Sequence, residues 1–403
     1  MRNIWLAIVC ITITLVVSYN TIFKPTNVDN RKEVVIWTLQ MGDFSEYMNG
    51  IISKYEKSHP DIKIKWVDVP FSEGEKRTLA SILSNTPPDL INLNPDFSLS
   101  LAQKGALEFL DINQFSEYNP QIVNSLKYNN KLYGIPWYAT SAVTIYNKKL
   151  YNQAKFNKFP KTYNDIFQMA KISKQNSGKY IFLPTITEND TMLKILNKYG
   201  ITCENISTPK SIEIFEQFHN LYKNNLISAE CISQTHREAL EKYMSENIIF
   251  FQGGANFLSM IKDNAPNVYK ETDVAPQLVG DLGQYDFSLM NFIIPYKAKH
   301  KKEALEFGLY LTNAENQLAL AKMTNVISTN NKALSDKFYN DTSDLVSKAR
   351  MISAKQITKI EPMLKQYNNQ KEINTLVNTA VQSILLNGDT QNTLNKLQKD
   401  CYR

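Results

Sequence analysis

Between residues 33 and 93, three short apolar runs alternate with two segments of helical periodicity, and this order constrains the chain most. The run "EVVIW" (33–37) is a buried strand. Phe44, Tyr47, Met48, Ile51, Ile52 and Tyr55 then share one helix face. "DIKIKWV" (61–67) alternates like a half-buried strand. A second helix presents Leu79, Ile82 and Leu83 as its apolar face, "PPDLINL" (87–93) is the third strand, and Gly105 stands where a helix ends. Strand and helix in strict alternation specify an α/β layer with a largely parallel sheet. Ligands of such sheets gather beyond the carboxyl ends of the strands. Gln40–Asp43 and Asn94–Phe97 occupy those loops, so Gln40, Asp43, Asp96 and Phe97 are the first candidate contacts. For both aspartates, bonding to a ligand hydroxyl and N-capping of the following helix are open.

Beyond residue 147 the pattern is more helical. Thr162 with Asp165 forms a capping box, and Thr208-Pro209 opens another helix with proline in its first turn. "YIFLP" (180–184), "IIFFQGG" (248–254) and "FSLMNFIIP" (287–295) read as strands, with "KKEALEFGLYLT" (301–312) a helix behind the last. From about 330 the chain is helical, and Gly388-Asp389 separates its final two helices. At 403 residues the chain exceeds one ordinary core, so two lobes are expected.

The N-terminus carries an address. Arg2 precedes an apolar run, Ile4–Val17, and small residues at 16–18 give a cleavage point after Ser18. Residues 1–18 read as a secretory signal, or as an anchor to about residue 23 if uncleaved, and 19–32 as a tether. Either way the body is expected outside the cytoplasm, in the periplasm or an equivalent space. Cys10 belongs to the apolar run. A Cys203–Cys231 pair and free buried thiols both fit the remaining cysteines, which form neither a disulfide framework nor a metal ribbon.

Several chemistries lack their residues. The 45 basic and 39 acidic side chains are well mixed and leave a net charge of +6 with no basic block, which argues against nucleic acid as a partner. Phosphate-binding glycine loops, CxxC and GxSxG are absent. His59, His219, His236 and His300 stand in no metal-ligand spacing and read as solvated surface. No carboxylate sits at an apolar strand end where desolvation would raise its pKa. No catalytic residue, metal or cofactor is assigned.

"LYGIPWYATSAVTIYNKKLY" (132–151) reads as two strands, Leu132–Ile135 and Ala142–Tyr146, separated by "PWYATS". Two aromatics and two hydroxyls in such a break suit a ligand with flat C–H faces and hydroxyl rims. Trp137 or Tyr138 is the expected stacking platform; because strand side chains alternate, at most one serves. Thr140 is the expected rim contact. "QGGANF" (252–257) is a strand end, two glycines and a helix start, where Gly254, Asn256 and Phe257 offer close backbone and an aromatic. "PTITEND" (184–190), ending in Asp190, is a weaker candidate wall. Trp37 reads as core.

Three stretches together resemble a known family. "PPDLINLNPDFSLSLAQKGALEFLD" (87–111) is similar to its Pro-Asp strand, loop, short helix and Gly-Ala-Leu. "KLYGIPWYATSAVTIYNKKLY" resembles its Gly-x-Pro segment and Tyr-Asn-Lys strand, and "FSLMNFIIPYKAKHKKEALEFGLYLTNAENQLALA" (287–321) its strand and Ala-x-x-Phe helix. The chain looks like the extracellular solute-binding proteins of bacterial ABC importers, in the group of sugar and maltodextrin binders. That resemblance implies two α/β lobes, a hinge and an interlobe cleft, with the chain crossing more than once: 33–140 plus 287–328 in the first lobe, 141–286 plus 329–403 in the second. It implies ligand contact at 136–141 and 252–257, a carbohydrate cargo (oligosaccharide or polyol), docking on membrane permease subunits, and a monomer. Phe97 stands where maltodextrin binders carry a basic residue, and Thr140 where they carry an acidic one. The alternatives are a non-sugar solute (polyamine, glycerophosphodiester or peptide), a sensor subunit, and an enzyme acting on envelope glycans.

Overall fold

The computed structural model describes residues 29–360, 367 and 369–401. The expected signal and most of the tether lie outside them. Among the described residues no helix is long and apolar enough to cross a membrane.

Strands β1 (Lys32–Leu39), β2 (Ile62–Val69) and β3 (Leu90–Leu93) run parallel, with helices α1 (Ser45–Ser58) and α2 (Gly74–Leu83) between them and α3 (Pro95–Gln103) after them. β4 (Ile135–Thr140) lies in the same sheet, and two residues later β5 (Val143–Asn147) opens a second one. The second sheet is completed by β6 (Tyr180–Phe182), β7 (Ile248–Gly253) and β8 (Thr272–Pro276). β9 (Ser288–Ile293) then returns to the first sheet, and β10 (Ile327–Ser328) closes its edge. The strand orders are β10-β4-β9-β3-β1-β2 and β8-β5-β7-β6. The first sheet is mixed, because β9 pairs antiparallel with both β3 and β4. The parallel expectation holds for β1–β3, where helices supply the crossovers.

Each sheet carries its own core. Val34, Ile36, Leu90, Ile135, Trp137 and Phe292 are among the buried residues of the first. Val143, Ile145, Phe215, Phe218, Phe250 and Leu258 are among those of the second. The final helices, α11 (Gln370–Asn387) and α12 (Thr390–Asp400), pack into the second core through Val377, Ile384, Leu394 and Leu397. Residues 329–360 do not belong to one side: Tyr339, Ala354, Ile357 and Ile360 pack into the first core, Ala349 and Ile352 into the second. Helix α10 (Leu345–Ile357) therefore straddles the junction.

Polar side chains bind the crossings together at that junction. Gln356 Nε2 donates to the Ser141 hydroxyl at 2.9 Å and to the Ala142 carbonyl at 2.7 Å. Its Oε1 accepts the Gln277 N–H at 2.8 Å. Gln277 Nε2 donates to Ser141 Oγ and to the Asp286 carbonyl, both at 3.0 Å. Ser353 Oγ donates to the Ser141 carbonyl at 2.8 Å. Both crossovers, 141–142 and 277–287, are held by one buried set of amides and hydroxyls.

Local signals read correctly where chemistry is local. Thr162 and Asp165 form the reciprocal capping box, and Pro209 occupies the first turn of its helix. Gly388, with φ +71°, separates α11 from α12. Two expectations fail, and the cysteine pairing, open in the sequence, is resolved. The break at 136–141 is the strand β4 itself; the interruption is only Ser141-Ala142, because proline at Pro136 is tolerated where the sheet register shifts beside Asn291. In α2 the buried residues are Gly74, Thr78 and Ser81, while Leu79 and Leu83 face solvent. The disulfide joins Cys203 to Cys401, and Cys231 is a free buried thiol. Sequence spacing carried no information on a contact 198 residues apart.

Candidate functional site

A cavity of about 450 Å³ opens where the two crossovers meet the second sheet. Three stretches build most of its wall. The first is the end of β7 and the start of helix α8 (Asn256–Asn264), which bring Phe251, Gly254, Asn256 and Phe257 to the cavity. The second is the loop after β6, with Pro184, Glu188 and Asp190, continuing into Lys194. The third is the crossover pair, with Thr140, Ser141, Asp286 and Phe287. β7 ends in Gly253, so its last residues, from Phe251, and the glycine that follows reach the cavity edge.

Thr140, Asp190, Gly254, Asn256 and Phe257 are brought together as cavity wall. Gln40, Asp43, Asp96, Phe97 and Tyr138, all from the first lobe, do not line it. Gln40 lies exposed at the end of β1 with φ 55°, and Asp43 is exposed in the short turn before α1. Neither aspartate caps a helix: the Asn94 side chain caps α3 by accepting from Phe97 N–H at 2.9 Å, and α1 has no side-chain cap. Trp37 is half-buried against the first core.

Trp137 is corrected outright. It is fully buried, with its ring 4.6 Å from that of Phe292 and 5.0 Å from that of Tyr138. Since the segment is a strand and not a loop, alternation sends Trp137 into the core and leaves Tyr138 half-buried on the other face. Burial pushes the Tyr138 hydroxyl up to about 12, so it remains a neutral hydrogen-bonding group.

His236, read from sequence as solvated, stands in the cavity wall. Its ring lies 4.7 Å from Phe251 and 5.2 Å from Phe257, the latter edge-on. Burial among these rings holds its pKa below the ordinary histidine value, so the imidazole is neutral at neutral pH. With Phe251 and Phe257 it makes a continuous aromatic surface. No sequence signal marks it, because the contact joins a helix start to a strand end.

Two carboxylates of the cavity are paired with lysines, and a third keeps its charge against a backbone amide. Lys194 pairs with Asp190 at 3.1 Å, and buried Lys198 pairs with Asp286 at 3.1 Å. Glu188 accepts the backbone N–H of His236 at 2.6 Å. Burial raises the pKa of Asp286, but Lys198 and Lys194 outweigh it and hold the carboxylate below the usual range. Burial opposes the charge on Lys194, while Asp190 and Asp286 keep its pKa above the ordinary lysine value. Asp96 reaches this group from the first lobe. Water touches its carboxylate, but the mass of protein around it raises its pKa, and so does repulsion from Asp190. It is therefore a carboxylate with a raised pKa, contrary to the expectation that none exists. Among the described residues no cluster of three or more His, Cys, Asp or Glu is placed to hold a metal ion.

Known proteins share this architecture. The chain resembles a periplasmic-binding protein of Synechococcus sp. MITs9220 with a TM-score of 0.82 and 26% identity, covering 91% of this chain and 98% of that one. The sugar-binding protein MalE of Xanthomonas citri aligns with a TM-score of 0.77 at 17% identity, over 92% and 96% of the two chains, which shows a common fold. By sequence the chain is 24% identical to the multiple sugar-binding protein of Streptococcus mutans, over 77% of this chain and 78% of that protein. It is 23% identical to the galactooligosaccharide-binding protein of Bacillus subtilis, over 70% and 69%. The model of the bacterial extracellular solute-binding protein family matches residues 40–318, well over half of the chain. With two α/β lobes, a cleft at their crossovers and that match, the chain belongs to the bacterial extracellular solute-binding proteins, a family of binding proteins and not enzymes.

Proposed function

We propose that this solute-binding component of an ABC transporter captures a neutral carbohydrate, an oligosaccharide or polyol, in the cleft and delivers it to membrane permease subunits. The observation that carries the reading is the pairing of both lysines at the cavity. Asp190 with Lys194 and Asp286 with Lys198 are ion pairs, and Glu188 keeps its charge while bonded to the neutral His236 N–H. Neither lysine is left unpaired for an anionic ligand, and rings, hydroxyls and amides make up the rest of the wall. Phe257 and His236 offer faces to the C–H side of a pyranose, while Asn256 and Thr140 offer hydrogen bonds to its rim. Two of the relatives are named for sugars, which supports the same class. Asp96, Phe97 and Tyr138 on the first lobe are proposed to meet the ligand when the lobes close. Closure follows from tighter contacts in the closed state, since a ligand shifts a conformational equilibrium only through that difference.

The test is thermal unfolding of the purified chain against panels of neutral oligosaccharides and polyols, polyamines, peptides and glycerophosphodiesters. Binding to the folded state alone stabilises it by mass action, about 2.7 kcal/mol at a hundredfold excess over Kd. A rise in Tm with a neutral sugar is expected. A rise with spermidine, a peptide or a glycerophosphodiester and none with any sugar overturns the cargo reading, as does enzymatic turnover of a bound oligosaccharide.

A further inference from the structure

The end of the first lobe opposite the cleft exposes four large apolar side chains: Leu83 (73% exposed), Tyr296 (58%), Phe109 (55%) and Ile112 (44%). They come from three chain segments that the sheet brings together. β3 starts at this end, β9 finishes here, and the turn after α3 lies between them. Tyr296 N–H donates to the Ala106 carbonyl at 2.8 Å, and Lys297 Nζ donates to Asn85 Oδ1 at 2.5 Å. A shallow depression of about 140 Å³ among Ile82, Pro87, Ala106, Pro295 and Tyr296 joins the pieces. It is too small to seat a helix or an extended peptide.

The same end is basic. Lys104, Lys131, Lys297, Lys299 and Lys302 are exposed there. Lys131 stands over the Phe109 ring at 4.9 Å and Lys301 over the Tyr296 ring at 4.5 Å. Of the nearby acids, Glu108 pairs with Lys301 at 2.6 Å, Glu303 with Lys32 at 2.7 Å and Glu306 with Lys302 at 3.8 Å, while exposed Asp111 accepts from Asn113. Lys104, Lys131, Lys297 and Lys299 carry the excess positive charge. The Lys32–Glu303 pair also sets the start of β1 beside the first turn of helix α9 (Lys301–Leu311). The 28 residues before Asp29, with the apolar run Ile4–Val17, are thus joined to the fold at this end.

We propose that this face docks on an anionic lipid surface, with Leu83, Phe109 and Tyr296 in the headgroup zone and the lysines against lipid charge. Exposed apolar area ringed by cations, on a face without a groove, suits a fluid and laterally uniform partner. Docked this way, the cleft points away from the lipid and stays open to solute. The inference is independent of which cargo the cleft takes.

Hydrogen exchange of the full chain on vesicles tests it, because the readout locates the contact even where the N-terminal run inserts. With phosphatidylcholine–phosphatidylglycerol vesicles, peptides covering 79–87, 104–112 and 295–303 should slow, and should return to solution rates in high salt. Vesicles of phosphatidylcholine alone should leave them unprotected. The triple variant Lys104→Glu, Lys297→Glu, Lys299→Glu should lose the protection, and so should Leu83→Ser with Phe109→Ser; all these positions are exposed, so Tm should stay near that of the parent chain. Attachment to anionic vesicles with unchanged exchange in the three segments overturns the proposal. Protection that arises only in membranes carrying the permease overturns it too, and assigns the face to a protein.

Discussion

The ring of Phe257 lies so close over Gly253 that a Cβ there would stand 2.9 Å from Phe257 Cδ2 and 2.5 Å from Phe251 Cε1. The glycine is the seat on which the aromatic wall of the cavity rests. Gly253→Ala must push one ring aside. Overpacking of this kind costs about 1–3 kcal/mol, read as a lower urea midpoint. Affinity for the cargo should fall with it by calorimetry. Phe257→Ala should lower affinity at least as much with a smaller loss of stability, since Phe257 is only half-buried.

Trp137→Ala should behave in the opposite way. The residue fills the first core and touches no part of the cavity, so the cost is a void of about 3–5 kcal/mol. A ligand-induced rise in Tm that persists in this variant would identify Trp137 as core; a loss of binding without loss of stability would return it to the site.

Gln356→Ala removes three hydrogen bonds at the crossovers and leaves the Gln277 N–H and the Ala142 carbonyl without that partner. Each such buried group costs about 1–3 kcal/mol. Chemical denaturation should show a loss in that range or above. Because both crossovers are affected, small-angle scattering of the ligand-free chain should report a broader spread of lobe arrangements.

His236 gives a pH dependence whose sign is fixed. Its folded pKa lies below the ordinary value of 6.5, so below that value the unfolded state binds more protons than the folded one. Its contribution is therefore complete above about 6.5 and is lost as pH falls towards the depressed folded value. Tm measured from pH 7.5 to 5 should decline, and His236→Gln should flatten part of that decline. Cargo affinity should weaken over the same interval, since a protonated ring is harder to desolvate against Phe251 and Phe257.

Cys203–Cys401 ties helix α12 to the second core across a separation of 198 residues. A loop of that size makes the cross-link worth on the order of 5 kcal/mol in chain entropy, with 2–5 kcal/mol the usual cost of removing a native disulfide. Cys401→Ser should lower Tm accordingly, with exchange rising first in residues 390–400. Cys231 offers no replacement partner, because burial pushes its thiol up to about 12 and keeps it protonated.

What sequence could reveal follows the range of the interaction. The alternation of "DIKIKWV", the Thr162–Asp165 box and the glycines after β7 act over a few residues, and each is where the pattern places it. Five of the proposed contacts, Thr140, Asp190, Gly254, Asn256 and Phe257, converge on one cavity because strand ends and helix starts are visible as composition changes. Trp137 reads as a loop residue because proline precedes it, and only the sheet register shows a strand. His236, Lys194 and Asp286 went unseen because their significance lies in partners far along the chain. The lysines of the docking face were scattered over some two hundred residues and only the fold makes them a patch.

Neither lobe is a continuous stretch of chain. The first sheet lacks its central antiparallel member until residues 288–293 have been made, and the second core lacks its last helices and its covalent clasp until residue 401. A polypeptide emerging from its N-terminus must stay unclosed through most of its synthesis. Such late completion leaves the nascent chain threadable, with exposed strand edges that need protection from aggregation until the final segment arrives.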